Sequence, residues 1–271
     1  MVREALCDEM GWLEATLPGD FLADPYLMEW DDERWILFEH FKGRIGRGVI
    51  GAAQVSGVDA SDAGTVITHG KHHLAYPSVF RVEEQSFCIA DSSDPVGIPV
   101  FKGSGPTTWS HVGYLEGVPR LTDPTIDFDG RMWWVFGLSG RGKHNVQLMR
   151  FMAREPLAQW TECSPVPAHD RMRRPAGRLI RFSDGRTLRP AQDCRSDYGD
   201  GVCVYEVGNC DQNSYTETLK QVIVPSRNWK FGEGCHTITG DADLTVVDGF
   251  RREPRMLAPL RKLRHRIAVR Y

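Results

Sequence analysis

Asp24-Pro25-Tyr26-Leu27-Met28-Glu29-Trp30-Asp31-Asp32-Glu33-Arg34-Trp35 opens a pattern on which the architecture of this 271-residue chain turns. An apolar run from Tyr26 to Trp30 meets the polar turn Asp31-Asp32-Glu33, and a second apolar run starts at Trp35. Strand, turn and strand is the natural reading. The same order returns at Tyr76-Pro77-Ser78-Val79, Asp123-Pro124-Thr125-Ile126, Arg174-Pro175-Ala176-Gly177 and Cys235-His236-Thr237-Ile238. With Pro25, Pro77, Pro124, Pro175 and His236 in one column, the successive spacings are 52, 47, 51 and 61 residues. Asp129-Gly130 and Asp184-Gly185 fall in the turns, and Asp-Gly is a strong hairpin signal. Ten residues past the column stand Trp35, Phe87, Trp134 and Val246. The fourth segment needs about two extra residues, as a bulge at Gly177 would supply.

Repeats of ~50 residues, each a hairpin with further strand-like material, match the blade period of propellers. Third strands are supplied by stretches such as Gly48–Val55 and Val146–Phe151, the latter alternating with period two. The expected fold is therefore all-β, a five-bladed β-propeller over residues 21–250. A β-sandwich with coincidental spacing is the alternative. Residues 1–20 form an N-terminal segment with room for a short helix over 3–17. Residues 251–271 carry eight Lys/Arg against one acid, with Met256, Leu257, Leu260, Leu263 and Ile267 at helical spacing. They predict a basic helix that docks on the propeller or meets an anionic surface or partner protein.

Composition narrows the setting. A net charge of −3 gives no bulk electrostatic case for nucleic acid. The seven cysteines form no CxxC pair, and the charged N-terminus lacks a signal-peptide core, so a reduced, cytoplasmic protein without cofactor is expected.

In a propeller the first strand of each blade lines the axis, so the heads of those strands converge on one mouth. That column reads Asp24, Tyr76, Asp123, Arg174 and Cys235, with His236 beside it. The hairpin returns to the same end at Glu39 and Asp91, and near there at Gln192, Asp193 and Asp248. Packing does not ask for charges at an axis, and burying them costs several kcal/mol each unless paired, so the ring is a candidate site. Two carboxylates across a cavity can cleave a glycosidic bond, one as acid and one as base. Arg174, Arg178, Arg189 and Arg195 would hold a phosphate or carboxylate on the substrate, and Tyr76 or Trp133 would stack on a sugar face. The plainer reading staples neighbouring blades through pairs such as Asp24 with Arg174 or Asp123 with Arg178. His69, His72 and His73 read as surface residues of a polar loop.

These residues resemble a known family. Phe21-Leu22-Ala23-Asp24-Pro25-Tyr26-Leu27, Leu74-Ala75-Tyr76-Pro77-Ser78-Val79-Phe80 and Gly117-Val118-Pro119 with Asp123-Pro124-Thr125 carry the likeness. Arg174-Pro175-Ala176-Gly177-Arg178-Leu179, followed by Arg189-Pro190-Ala191-Gln192-Asp193-Cys194, is its most specific part. Together they resemble the propeller domain at the N-terminus of plant glucosamine inositolphosphorylceramide transferases. That domain is similar in turn to the five-bladed family-43 glycoside hydrolases. The resemblance implies Asp24 as general base and Asp123 as the residue that tunes the acid. Arg174 stands where the acid glutamate is expected, which leaves Glu39 or Asp91 to supply the proton. It also implies an axial calcium in related propellers, with His236 as the candidate ligand here; our expectation is no metal. Two functions follow: a carbohydrate-active enzyme on an anionic or phosphorylated sugar at the central channel, or a non-catalytic propeller that binds such a ligand for a partner glycosyltransferase.

Overall fold

The computed structural model describes residues 2–5, 10–139, 147–164, 166, 174–194, 199–251 and 264–270. Two short strands, β1 (Val2–Ala5) and β2 (Gly11–Leu13), open the chain. The first repeat folds as β3 (Phe21–Trp30), β4 (Glu33–Lys42), β5 (Arg47–Ser56) and β6 (Asp59–Ile67), a four-stranded antiparallel sheet in chain order. The second gives β7 (Leu74–Val82), β8 (Gln85–Ser92), β9 (Pro99–Gly105) and β10 (Thr108–Tyr114). The third gives β11 (Thr122–Phe128), β12 (Trp133–Ser139), β13 (Gln147–Ala153) and β14 (Thr161–Glu162). In the fourth, β15 (Ile180–Arg181), β16 (Thr187–Asp193), β17 (Gly201–Cys210) and β18 (Tyr215–Val224) are joined at the edge by β1, which runs parallel to β18. The last sheet takes β19 (Ile238–Gly240), β20 (Thr245–Arg251), β21 (Arg264–Arg270) and finally β2. Four four-stranded sheets and one five-stranded sheet thus make an all-β propeller, with no helix among the described residues.

Apolar clusters fill the space between successive sheets and close the ring. Leu37, Ile50, Val79 and Phe101 join the first to the second; Phe80, Ile89, Ile126 and Phe151 join the second to the third. Phe136 and Leu148 meet Leu179 and Tyr215, Ala176 and Val202 meet Cys235, and Val246 and Ile267 return to Leu22 and Phe38. The column ten residues on belongs to these cores: Trp35, Phe87, Trp134 and Val246 are all buried.

Both terminal helices are corrected. Residues 264–270 pair as a strand with β20, and Gly11–Leu13 pair with them on the other side, so strands from both ends complete one sheet. The helical spacing of the C-terminal apolar residues misled because Ile267, opposite Asp248, lies buried in the strand register. Met256, Leu257, Leu260 and Leu263 lie outside the described residues.

Candidate active site

The column residues owe their position to a local backbone device. Pairing between β3 and β4 skips from Ala23 to Tyr26, between β7 and β8 from Ala75 to Ser78, and between β11 and β12 from Thr122 to Thr125. Each gap is a bulge at the same repeat position, and bulges re-aim side chains. Inside them Asp24, Tyr76 and Asp123 adopt φ of +51°, +48° and +54°. A left-handed residue before proline is costly, of order 1–3 kcal/mol, and persists only where its surroundings over-determine it. At Tyr76 the restraint is visible: its hydroxyl lies 3.0 Å from Thr125 Oγ1 and accepts the Gly177 N–H at 2.6 Å. Tyr76 therefore ties three sheets together across the axis, and at 3 % exposure it offers no face for a sugar.

Asp24 is buried in a carboxylate–imidazole–carboxylate bridge. His236 Nε2 stands 3.1 Å from Asp24 Oδ1, and His236 Nδ1 stands 2.7 Å from Asp248 Oδ2. Thr237 Oγ1 donates to Asp24 Oδ1 at 3.0 Å, while Asp248 Oδ1 accepts the backbone N–H groups of His236 and Thr237. Burial works against the Asp24 charge, but His236, Arg174 and Thr237 outweigh it and hold the carboxyl below its ordinary range. Ligand atoms of Asp24, His236 and Asp248 lie within 4.8 Å of one another, which is close enough to test for a metal. His236 Nδ1 meets Asp248 Oδ2 without the alignment of a hydrogen bond, so the trio is an ion-pair bridge. Calcium takes oxygen ligands, and an imidazole nitrogen set between two carboxylates does not fit it.

Glu39 stands opposite Ala23 on β4, beside the bulge. It is buried, and its carboxyl is pushed well above the ordinary range by burial first, then by repulsion from Asp24, Asp91 and Asp123, against an opposing pull from His236. Asp91 holds the equivalent position opposite Ala75. Its carboxyl is raised to about 7 by burial and Asp123, and its Oδ2 accepts the Asp123 N–H at 3.3 Å. One mouth thus holds an ionised carboxylate beside two carboxyls biased toward the protonated form, the division of labour that acid–base chemistry requires.

Asp123, 1 % exposed, is gripped by Arg174 through Nε to Oδ2 and through Nη2 to Oδ1 at 3.1 Å. Gln192 Nε2 adds a bond to Oδ2 at 2.8 Å. Even so, burial leaves this carboxyl above its usual range despite Arg174. Arg174 thus staples the third sheet to the fourth, with Asp123 rather than Asp24 as partner. Its side chain keeps 28 % exposure at the mouth.

Two of the remaining arginines lie apart from this group. Arg189 is buried in a bidentate pair with Glu217 at 2.8 and 2.9 Å, over the Tyr205 ring. Arg178 hydrogen-bonds the Gly240 carbonyl and lines a cavity of about 1080 Å³ with Tyr26, Phe80, Trp133 and Phe182, reached from the far ends of the inner strands. Asp193 is buried at the end of β16, opposite Gly201, and Arg195 lies outside the described residues. Arg189 parts from Gln192 on the same strand because alternate strand positions face opposite ways.

His73, read as a surface residue, joins the site. Its Nδ1 accepts the Gly48 N–H at 2.7 Å, which leaves the proton on Nε2, 3.5 Å from Glu39 Oε1. A Cβ on Gly48 would come within 2.6 Å of that same Oε1. The only sequence signal was a glycine at the start of a strand next to a histidine loop, which by itself says nothing about Glu39.

Solved structures of glycoside hydrolases share this architecture. The family 117 enzyme Zg3597 of Zobellia galactanivorans superimposes with a TM-score of 0.66 at 11 % identity, over 96 % of this chain and 88 % of that one. The β-xylosidase RS223 gives 0.65 at 16 % identity, over 97 % and 94 %. These likenesses define the fold. The chain itself belongs to the family described as Glucosamine inositolphosphorylceramide transferase 1, N-terminal, whose model matches residues 6–236. The rice (Oryza sativa subsp. japonica) protein named Glucosamine inositolphosphorylceramide transferase 1 is 27 % identical over 215 residues, 75 % of this chain and 28 % of its own length. The Arabidopsis thaliana protein of that name is 27 % identical over 211 residues, 74 % and 27 %. The chain therefore spans little more than a quarter of these relatives.

Proposed function

We propose that the five sheets are five blades of a carbohydrate-active propeller whose reaction centre is the Asp24 mouth. The observation that carries this reading is the meeting of Asp24, held by His236 and Thr237, with the buried carboxyls of Glu39 and Asp123 at one mouth, where the surroundings bias Asp24 below and Glu39 above the ordinary range. Glu39 donates its proton to the glycosidic oxygen as the bond to the sugar breaks. Asp24 takes a proton from the attacking hydroxyl, whether of water or of an acceptor sugar, so one proton enters and one leaves. Asp91 and Asp123 keep Glu39 protonated by their proximity, and His236 holds Asp24 ionised and oriented.

The substrate class we assign is an anionic or phosphorylated glycoside. The relatives' name joins glucosamine to inositolphosphorylceramide, a phosphate-bearing lipid, and Arg174 presents its exposed edge at the mouth. The alternative, ligand binding on behalf of a partner glycosyltransferase, draws on Arg174 standing where an acid would. Screening hydrolysis and transfer on glycosides and sugar phosphates separates the two. The enzyme reading requires turnover that Asp24→Asn abolishes; binding that survives Asp24→Asn without any turnover in the parent protein supports the alternative.

A further inference from the structure

A second cluster of ligating side chains lies outside the acid–base centre, on the loop between the first and second sheets. His69 Nε2 stands 2.7 Å from Asp94 Oδ2, and His72 Nε2 stands 3.7 Å from the same oxygen. Tyr114 donates its hydroxyl to that oxygen at 2.7 Å and lies 3.2 Å from His69 Nε2. His111, exposed on β10, brings its ring to 4.6 Å from the His69 ring; the His72 ring is 5.5 Å away. Asp94 Oδ1 accepts the Val96 N–H at 3.0 Å, which fixes the carboxylate with Oδ2 toward the imidazoles.

We propose that His69, His72, His111 and Asp94 form a binding site for a divalent transition metal of the zinc class. Three imidazoles and one carboxylate are the donor set such an ion prefers. Tetrahedral zinc–ligand bonds of about 2.0–2.1 Å set donor atoms ~3.3 Å apart. The His69–Asp94 contact is tighter than that at 2.7 Å and the His72–Asp94 contact wider at 3.7 Å. Unlike Asp24, His236 and Asp248, the cluster does not bring three ligand atoms within 4.8 Å of one another.

The donors do not yet meet at a point, so binding draws the His72 and His111 side chains inward by rotation. Tyr114 remains as an outer hydrogen bond to the coordinating carboxylate. The ion would clamp the loop whose next residue, His73, reaches Glu39.

Chelator-stripped full-length protein is titrated with Zn²⁺ alone by calorimetry, and with Co²⁺ alone by visible absorption. The proposal expects one equivalent bound at micromolar affinity or tighter, a tetrahedral Co²⁺ spectrum, and at least about 100-fold weaker binding in both His69→Ala and His111→Ala. His111 is exposed on an outer strand, so His111→Ala keeps the test open if His69→Ala fails to fold. His236→Ala is expected to leave the affinity unchanged. Absence of stoichiometric binding would mean that the cluster is only a hydrogen-bonded network, and the proposal fails. It fails equally if His236→Ala, rather than His111→Ala, removes the bound ion.

Discussion

Arg174→Ala tests the staple at the centre of the propeller. Asp123 is 1 % exposed, and Arg174 supplies two of its three side-chain hydrogen bonds. Removing one partner of a buried pair costs about 3–5 kcal/mol, because the other charge stays uncompensated. Two features reduce that figure here. The Arg174 side chain is 28 % exposed, and Gln192 still donates to Asp123 at 2.8 Å. About 2–4 kcal/mol is the expected loss at neutral pH. The pH dependence has a definite sign. Burial already holds the folded Asp123 carboxyl above its ordinary value, and losing Arg174 lifts it further. The folded state of the variant then binds a proton more tightly than the unfolded state, so its stability falls as pH rises. Urea unfolding at pH 5 and pH 8 should show the larger loss at pH 8. Adding Asp123→Asn, which tolerates the left-handed backbone, should recover more than half of it. A loss below about 1 kcal/mol at both pH values, or no relief from Asp123→Asn, would refute the reasoning.

Further outcomes follow from the same geometry. Tyr76→Phe strips the acceptor from the buried Gly177 N–H and should cost about 1–3 kcal/mol in chemical denaturation. Gly177→Ala should cost more, since φ is +137° and its Cβ would sit 1.9 Å from the Ile238 carbonyl oxygen; an unchanged thermal midpoint would be the contrary result. Asp91, raised to about 7 from an ordinary 3.8, makes the fold lose stability as pH climbs between those values. Asp91→Asn should therefore stabilise the protein at pH 8 and have a smaller effect at pH 5, as read by urea titration. His73→Leu removes the donor facing Glu39, and infrared titration of the Glu39 carboxyl should show its midpoint rise, with His73→Gln partly restoring it.

The architecture was legible because a propeller repeats. A proline column, a polar turn and an aromatic ten residues on recur often enough to stand out from one sequence, and every aromatic of that column is buried. The column also brought Asp24, Asp123, Arg174, Glu39 and Asp91 to one mouth, since the chain returns there at the end of each hairpin. What the repeat could not convey was partner choice. Arg174 reaches Asp123 and not Asp24 from a segment that precedes its strand, and Arg189 turns away to Glu217 because one residue of strand register reverses the face a side chain takes. The bulges were hidden for a related reason: an Asp-Pro or Tyr-Pro dipeptide marks an extended chain, and a positive φ before proline runs against that expectation. His73 and the His69 cluster were out of reach because their partners, Glu39, Asp94 and His111, come from segments distant in sequence. The C-terminal strand was mistaken for a helix because, of the five spaced apolar residues, it contains only Ile267.

The division of protonation between Asp24 and Glu39 is the claim on which the account rests, and leaving-group dependence measures it. Once a cleaved glycone is identified, its aryl glycosides are compared with good and poor leaving groups in Glu39→Gln and Asp24→Asn. A departing group that needs no proton should bypass the acid. Glu39→Gln is therefore expected to keep turnover on the best leaving group and lose it on the worst, while Asp24→Asn loses both. Equal losses across the series for Glu39→Gln, or undiminished turnover in Asp24→Asn, would contradict the assignment.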